Sequence, residues 1–243
     1  MNFATIGQNI VKLTVKYWYK FLITGLGYTL SLAAITVAVG AILGSLIALL
    51  RMSKFPPFRW ISAIYTEIIR GTPMLLQLYL FYFALPQLIP FLNKKQYLCV
   101  AIALVCNSAA YVSEIIRSGI QAVDAGQTEA ARSLGLSQGL TMTQIILPQA
   151  IPHVLPAYRG EIVGLIKATA IVGYIAVQDL TKMGDIVRSR TYEAFFPLIA
   201  VTVIYFVLEG LFSFAVSRIR IRIDPKQRSR ERILKGVDLS QSL

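Results

Sequence analysis

The chain has 243 residues, 56% of them hydrophobic and only 15% charged, with a mean hydropathy of +0.62. Soluble globular domains carry about 25% charged residues, so this composition excludes a soluble domain and predicts an all-α integral membrane protein with room for about five spans of roughly 20 residues each. The net charge of +12 comes from Lys and Arg at span ends and in the tail, with no aromatic-interleaved face. It argues for anchoring at a membrane surface and against a nucleic-acid partner.

In chain order, residues 1–20 carry Lys12, Lys16 and Lys20 at four-residue intervals, the pattern of an amphipathic elbow at the membrane surface. Residues 21–217 form the transmembrane domain. Its first span lies in Phe21 to Leu50, a charge-free run long enough that part of it must tilt or protrude, and far longer than a signal-peptide core, so no cleaved leader is expected. Arg51, Lys54, Pro56, Pro57 and Arg59 make a basic turn. The second span falls within Trp60 to Leu92, interrupted by Arg70-Gly71-Thr72-Pro73. The third runs from about Tyr97 to Ile116, the fourth from about Ala157 to Val177 and the fifth from about Phe195 to Ser217. Cys99 and Cys106 share one span, two helical turns apart and too far for a disulfide. His153 is the lone histidine, so no metal site is expected.

Five spans put the termini on opposite sides of the membrane. The side holding the first turn, the Glu129 loop and the tail has fourteen Lys and Arg against eight on the other. The positive-inside rule therefore predicts a cytoplasmic Glu129 loop and C-terminus and an N-terminus outside. Residues 218–243 are a basic cytoplasmic tail. Its Arg218-Ile219-Arg220-Ile221-Arg222-Ile223 alternation reads superficially as a strand. With no partner strand available, it is expected to be the end of the last helix, its arginines snorkelling toward anionic headgroups.

Between Glu129 and Pro148 the sequence is E-A-A-R-S-L-G-L-S-Q-G-L-T-M-T-Q-I-I-L-P. Gln127 to Leu134 is rich in helix formers, and Gly135 ends it as a residue that tolerates positive φ. A second short helix is expected from about Ser137 to Leu147, stopped by Pro148 and Pro152, so that residues 124–152 or so form a compact knob. The spacing resembles the cytoplasmic EAA loop of permease subunits in ABC importers, E-A-A-x3-G-x9-I-x-L-P, and every specified position matches. Arg70-Gly71-Thr72-Pro73 with Gln77, and Ala110-Tyr111 through Glu114-Ile115, Arg117 and Gly119-Ile120, resemble the signatures of the polar amino acid branch of that family, as does Gly184. Gly160-Glu161 stand where that branch has Asn-Glu, and Lys167-Ala168-Thr169-Ala170-Ile171 where it has Lys-Asp-(Ser/Thr)-Ser-Leu.

The resemblance implies a permease subunit in a bacterial cytoplasmic (inner) membrane, with the pathway formed where it meets a second permease, identical or homologous. Glu129, Ala130, Ala131, Gly135, Ile145, Leu147 and Pro148 would couple it to ABC ATPase subunits. An extracytoplasmic binding protein would deliver a polar amino acid. ATP and Mg would belong to the partner ATPase; this chain has no Gly-x-x-x-x-Gly-Lys-(Ser/Thr) run and is expected to need no cofactor and to hold no catalytic residue.

Charged groups at membrane depth are costly and mark function. Glu161 is a candidate for the substrate's ammonium group, and Lys167 and Thr169 for its carboxylate; alternatively Lys167 pairs with Glu209 at equal depth in span five. Arg70 beside Gly71 and Pro73 suits a substrate site at a broken helix. It equally suits the edge of a surface-lying Trp60 to Ile69 segment, with Arg70 paired to Glu67 and the span starting at Pro73. Glu114 and Arg117 are expected to pair at the end of span three. Two other classes remain: an ion-coupled secondary transporter without an ATPase, using Lys167, Glu161 or Glu209, and a membrane enzyme, for which no nucleophile, base or metal cluster is evident.

Overall fold

The computed structural model describes Lys12 and residues 15–175, 177–193 and 195–223. Helices α1 (Val15–Arg51), α2 (Pro56–Gly71), α3 (Met74–Leu88), α4 (Gln96–Gln121), α5 (Ala125–Ser133), α6 (Gln138–Ile175), α7 (Leu180–Thr191) and α8 (Phe195–Ile223) follow one another, with no strand among the described residues. α1, α4 and most of α8 are each long and apolar enough to cross a bilayer. The pairs α2–α3, bent by 108°, and α6–α7, bent by 45°, bring the total to five if each pair counts as one span. Most of the expected N-terminal elbow and basic tail lies outside the described residues. The Arg-Ile alternation begins inside α8, as helix.

The chain divides into two compact units, the first drawn from Met1–Glu114 with Glu161–Gly210, the second from Ile115–Gly160 with Leu211–Leu243. In the first, α1 is continuous for 37 residues, ~55 Å at ~1.5 Å per residue against a hydrocarbon core of ~30 Å. It passes Lys20 without a break, through a wider π-helical turn at Lys20–Gly25. Glycine sets how closely it packs. A Cβ on Gly25 would lie 2.9 Å from the Leu180 Cα, one on Gly40 2.8 Å from the Ser108 Oγ, and one on Gly44 2.6 Å from the Val112 Cβ. The last two bring α1 against α4 in the small-residue manner of membrane helices. Leu32, Leu78, Val100, Leu104, Val172 and Ile175 form one buried core, and Tyr17, Phe21, Leu180, Met183 and Val187 another.

The stretch between the fourth and fifth apolar runs holds the helix α7. Asp179 is its N-cap, accepting from the backbone of Lys182 (2.8 Å) and Thr181 (3.2 Å), and it is fully buried. Carboxylate caps of this kind satisfy amide groups that a helix start otherwise leaves bare. The inner face of α7 covers Tyr17 and Phe21, and its outer face carries Asp185 between Lys182 and Arg188.

In the second unit, the expected short helix ending at Pro148 is instead the start of α6, which runs on through Pro148, Pro152 and Pro156. These prolines are four residues apart and so form one stripe along the helix. Pro148 and Pro156 are exposed and Pro152 half-buried, which leaves the unpaired carbonyls of this stripe on an outward face. A π-helical turn at Thr141–Ile146 precedes the first of them, and its wider winding relieves the ring's clash with the preceding turn. Gly119 of α4 lies so close to α6 that a Cβ there would collide with the Val154 side chain.

Candidate functional site

The two signatures quoted from the sequence, Arg70-Gly71-Thr72-Pro73 with Gln77 and Ala110-Tyr111 to Glu114, are two sides of one network at the α2–α3 break. Thr72 is extended (φ −114°, ψ 145°) because a residue before proline is driven out of the helical region, and Pro73 then caps α3. The carbonyls freed at the end of α2 are taken up by Gln77, which is buried. Its Nε2 donates to the Ile69 carbonyl (2.6 Å), the Thr72 carbonyl (3.1 Å) and the Thr72 Oγ1 (2.7 Å), and the Asn107 Nδ2 donates to its Oε1 (2.9 Å). Tyr65 of α2 adds a bond from its hydroxyl to the Cys106 carbonyl (2.6 Å).

Two turns along α4, the Glu114 carboxylate pairs with Arg51 (Nη1 at 2.9 Å) and Arg70 (Nη1 at 3.9 Å), and the Arg70 guanidinium lies 5.5 Å from the Tyr111 ring centroid. The expected pair of Arg70 with Glu67 is not formed. Glu67 is 71% exposed and meets Arg51 at 3.7 Å, whereas Glu114 is 18% exposed. An ion pair gains more where less water surrounds it, so the half-buried acid wins the arginine. Arg117 also donates to Gln121 (2.6 Å).

In span four, Glu161 is half-buried and makes no ion pair among the described residues. The Ser108 hydroxyl of α4 lies beside its carboxyl, buried and without a hydrogen bond of good geometry. Lys167 reaches Glu209 of α8 at 2.8 Å; the possibility of a pair at equal depth is the arrangement found. Thr169 is fully buried where α6 tightens into a 3-10 turn (Thr169–Ile175), its hydroxyl donating to the Ile166 carbonyl at 2.7 Å. Arg70, Glu161 and Lys167 thus occupy separate networks within the first unit.

The knob is built by capping. Asp124 accepts from the Gly126 amide (2.7 Å) and starts α5. At its end Gly135 takes φ +87°, its amide donating to Arg132 and that of Leu136 to Ala131, the paired bonds of a Schellman turn, which glycine accommodates without strain. Ser137 accepts from Leu140 to start α6. Arg132 donates to the Leu136 carbonyl, and Gln149 to Gln127. Ala131 is buried beneath the turn with Ile146 and Ala150, and Ile145 is half-buried. Glu129, Ala130, Gly135, Leu147 and Pro148 face outward, as does Leu134, which is 82% exposed. Leu134 occupies an unspecified position of the loop pattern and carried no signal in the sequence.

Bent helix pairs, a buried polar network at one break, and an outward-facing helical knob between two candidate spans mark a polytopic helical membrane protein. The chain belongs to the family of binding-protein-dependent transport system inner membrane components, whose family model matches residues 40–228. It is 43% identical over 194 residues to the arginine transport system permease protein ArtQ of Bacillus subtilis, covering 80% of this chain and 88% of that one. The crystal structure of an amino acid ABC transporter with histidines superposes with a TM-score of 0.77 at 42% identity, covering 86% of this chain and 96% of that chain. The MetNI methionine ABC transporter in inward-facing conformations shares the fold at 20% identity, with a TM-score of 0.64 and coverages of 89% and 98%. The chain is a multi-pass inner-membrane permease subunit of an ABC importer.

Proposed function

We propose that this subunit carries a polar amino acid into the cell, with energy from ATPase subunits that grip the α5–α6 knob. The observation that carries this reading is the knob itself: the complete loop pattern folds as two capped helices around a Schellman turn, with Leu134 offered outward. Rigid elements of this kind pass a push from a partner to α6 without bending. A second permease subunit completes the pathway, and a binding protein delivers the substrate from the side opposite the knob. The N-terminus lies on that outer side and the tail in the cytoplasm. ATP and Mg stay with the partner ATPase. A relative named for arginine transport and a neighbour crystallised with histidines support an amino acid as cargo.

Glu161 is the group proposed to receive the substrate's ammonium, because it is an acid on span four without a cation partner among the described residues. Arg70, Lys167 and Thr169 are proposed to face the same pathway more remotely. Their observed partners give each of them a structural role, and Glu161 is the direct test. Glu161→Gln keeps the shape and removes the charge. Loss of a charge-assisted bond costs about 1.5–3 kcal/mol, or roughly ten- to hundredfold in affinity. In proteoliposomes holding the subunit with its ATPase, the variant should keep basal ATP hydrolysis and lose uptake of labelled amino acid. Parental uptake and affinity would make Glu161 structural. Uptake by the parent protein that follows an ion gradient without internal ATP would favour the secondary-transporter reading.

A further inference from the structure

We infer that the loop-side end of α6 and α8 forms a binding site for the phosphate of an anionic phospholipid, built from Arg159, Ser213 and Arg218. Arg159 enters span four as a half-buried guanidinium, and its Nη2 donates to the Ser213 Oγ of α8. One turn beyond, the Arg218 guanidinium lies 4.8 Å from the Phe214 ring centroid. All four residues belong to the second unit. Neither arginine has a carboxylate partner among the described residues, whereas Arg51, Arg70, Lys167, Lys182 and Arg188 each have one. Glu161 does not supply the missing charge to Arg159, because residues two apart on a helix do not face each other.

A guanidinium near the end of a span without a carboxylate partner snorkels to the interface, where an anion from outside the chain can meet it. The surroundings name which anion. Arg159 lies eight residues on the loop side of Lys167, ~12 Å along the helix, and Arg218 ends the apolar run of α8, so both sit where a bilayer places its headgroup phosphates. Leu211 and Phe214 beside them are each 61% exposed, an apolar wall for acyl chains below the charges. Anchoring by Ser213 and stacking on Phe214 hold the two planar forks in place. Arginine forks match phosphate oxygens in pairs, and serine completes the ring of donors. A soluble anion would gain nothing from the apolar wall; a lipid uses both parts.

The test uses the full chain purified in a neutral detergent, titrated with phosphatidylglycerol or phosphatidylcholine and read by native mass spectrometry. Phosphatidylglycerol should bind the more tightly. A basic residue near a membrane surface contributes about 1 kcal/mol toward anionic lipid, so Arg159→Gln and Arg218→Gln should each weaken phosphatidylglycerol about fivefold, with Arg159→Lys intermediate. Arg188→Gln, which removes a cation already paired to Asp185, should change nothing. Glycerol phosphate should not compete, since it lacks the acyl chains. Equal affinity for the two lipids, unchanged affinity in both Gln variants, or displacement of lipid by glycerol phosphate would each overturn the assignment. If Arg159→Gln fails to accumulate, exposed Arg218 decides alone: a fivefold loss supports the site and an unchanged affinity overturns it.

Discussion

The segment around Pro73 and the start of α6 both carry proline into a helical run, and they respond in opposite ways. At Arg70-Gly71-Thr72-Pro73 the helix ends and restarts at 108°. At Pro148, Pro152 and Pro156 it continues. Proline removes one N–H in each place, so the outcome depends on what receives the carbonyls left behind. In the first segment buried Gln77 takes two carbonyls and a hydroxyl, and Asn107 holds Gln77. The break is thus held by side-chain hydrogen bonds. In the second, the three rings share one stripe that faces mostly outward, where bare carbonyls stay reachable, and nothing favours a break. A lost hydrogen bond thus bends a membrane helix where another side chain is placed to accept the bend.

That account is broken most severely at Gln77. Gln77→Leu keeps the volume but leaves the buried Asn107 amide and the half-buried Ile69 carbonyl without their partner. Unsatisfied buried groups cost about 1–3 kcal/mol each, so we expect a loss of about 2–4 kcal/mol, read as a lower thermal midpoint of the detergent-purified chain. An unchanged midpoint would show that the break is held by something else. Next comes Gly135→Ala. At φ +87° a Cβ costs about 1–2 kcal/mol, and the loss should be local: faster hydrogen exchange at the Gly135 and Leu136 amides, with the spans unaffected. Pro152→Ala restores a helical donor on an outward stripe and should leave the thermal midpoint unchanged or raised, the reverse of Gln77→Leu. The smallest effect is expected at Gly71→Ala. Gly71 also ends a helix, but its φ is not positive and a Cβ there meets nothing within 4 Å. A change within about 0.5 kcal/mol, as at ordinary surface positions, contrasts with the same substitution at Gly135.

What was legible in the sequence was local. Apolar run lengths gave the five spans, the Glu129 to Pro148 spacing gave the knob, and Gly135 declared its turn because few residues besides glycine adopt that φ. The Arg-Ile alternation is helix, with no strand among the described residues to pair with it. What was hidden depended on residues far apart in the chain. Gln77 and Asn107 are thirty residues apart, and nothing in either segment names the other. Arg70 has Glu67 one turn away, yet meets Glu114, since exposure sets the strength of an ion pair and exposure is a property of the fold. Asp179 follows the fourth apolar run in the sequence, and only the fold shows it as a buried cap. Proline is ambiguous for the same reason: the lost donor is written in the sequence, while the fate of its carbonyl is decided by neighbours. Lys167 and Glu209 were matched from equal depth in successive spans, a case in which membrane geometry makes a long-range pair visible.

The central claim is that force enters this permease through the capped knob. The most direct measurement compares the parent protein with Gly135→Asp in proteoliposomes containing the ATPase partner and an energy supply of ATP, following amino acid uptake and the amount of ATPase that co-purifies. A Cβ and a charge at the positive-φ turn should distort the surface around Leu134 while leaving the spans inserted. The account predicts uptake at background and weakened ATPase association, with the chain still correctly inserted in the membrane. ATP-driven uptake at the parental rate, with the ATPase retained in normal amount, would contradict it.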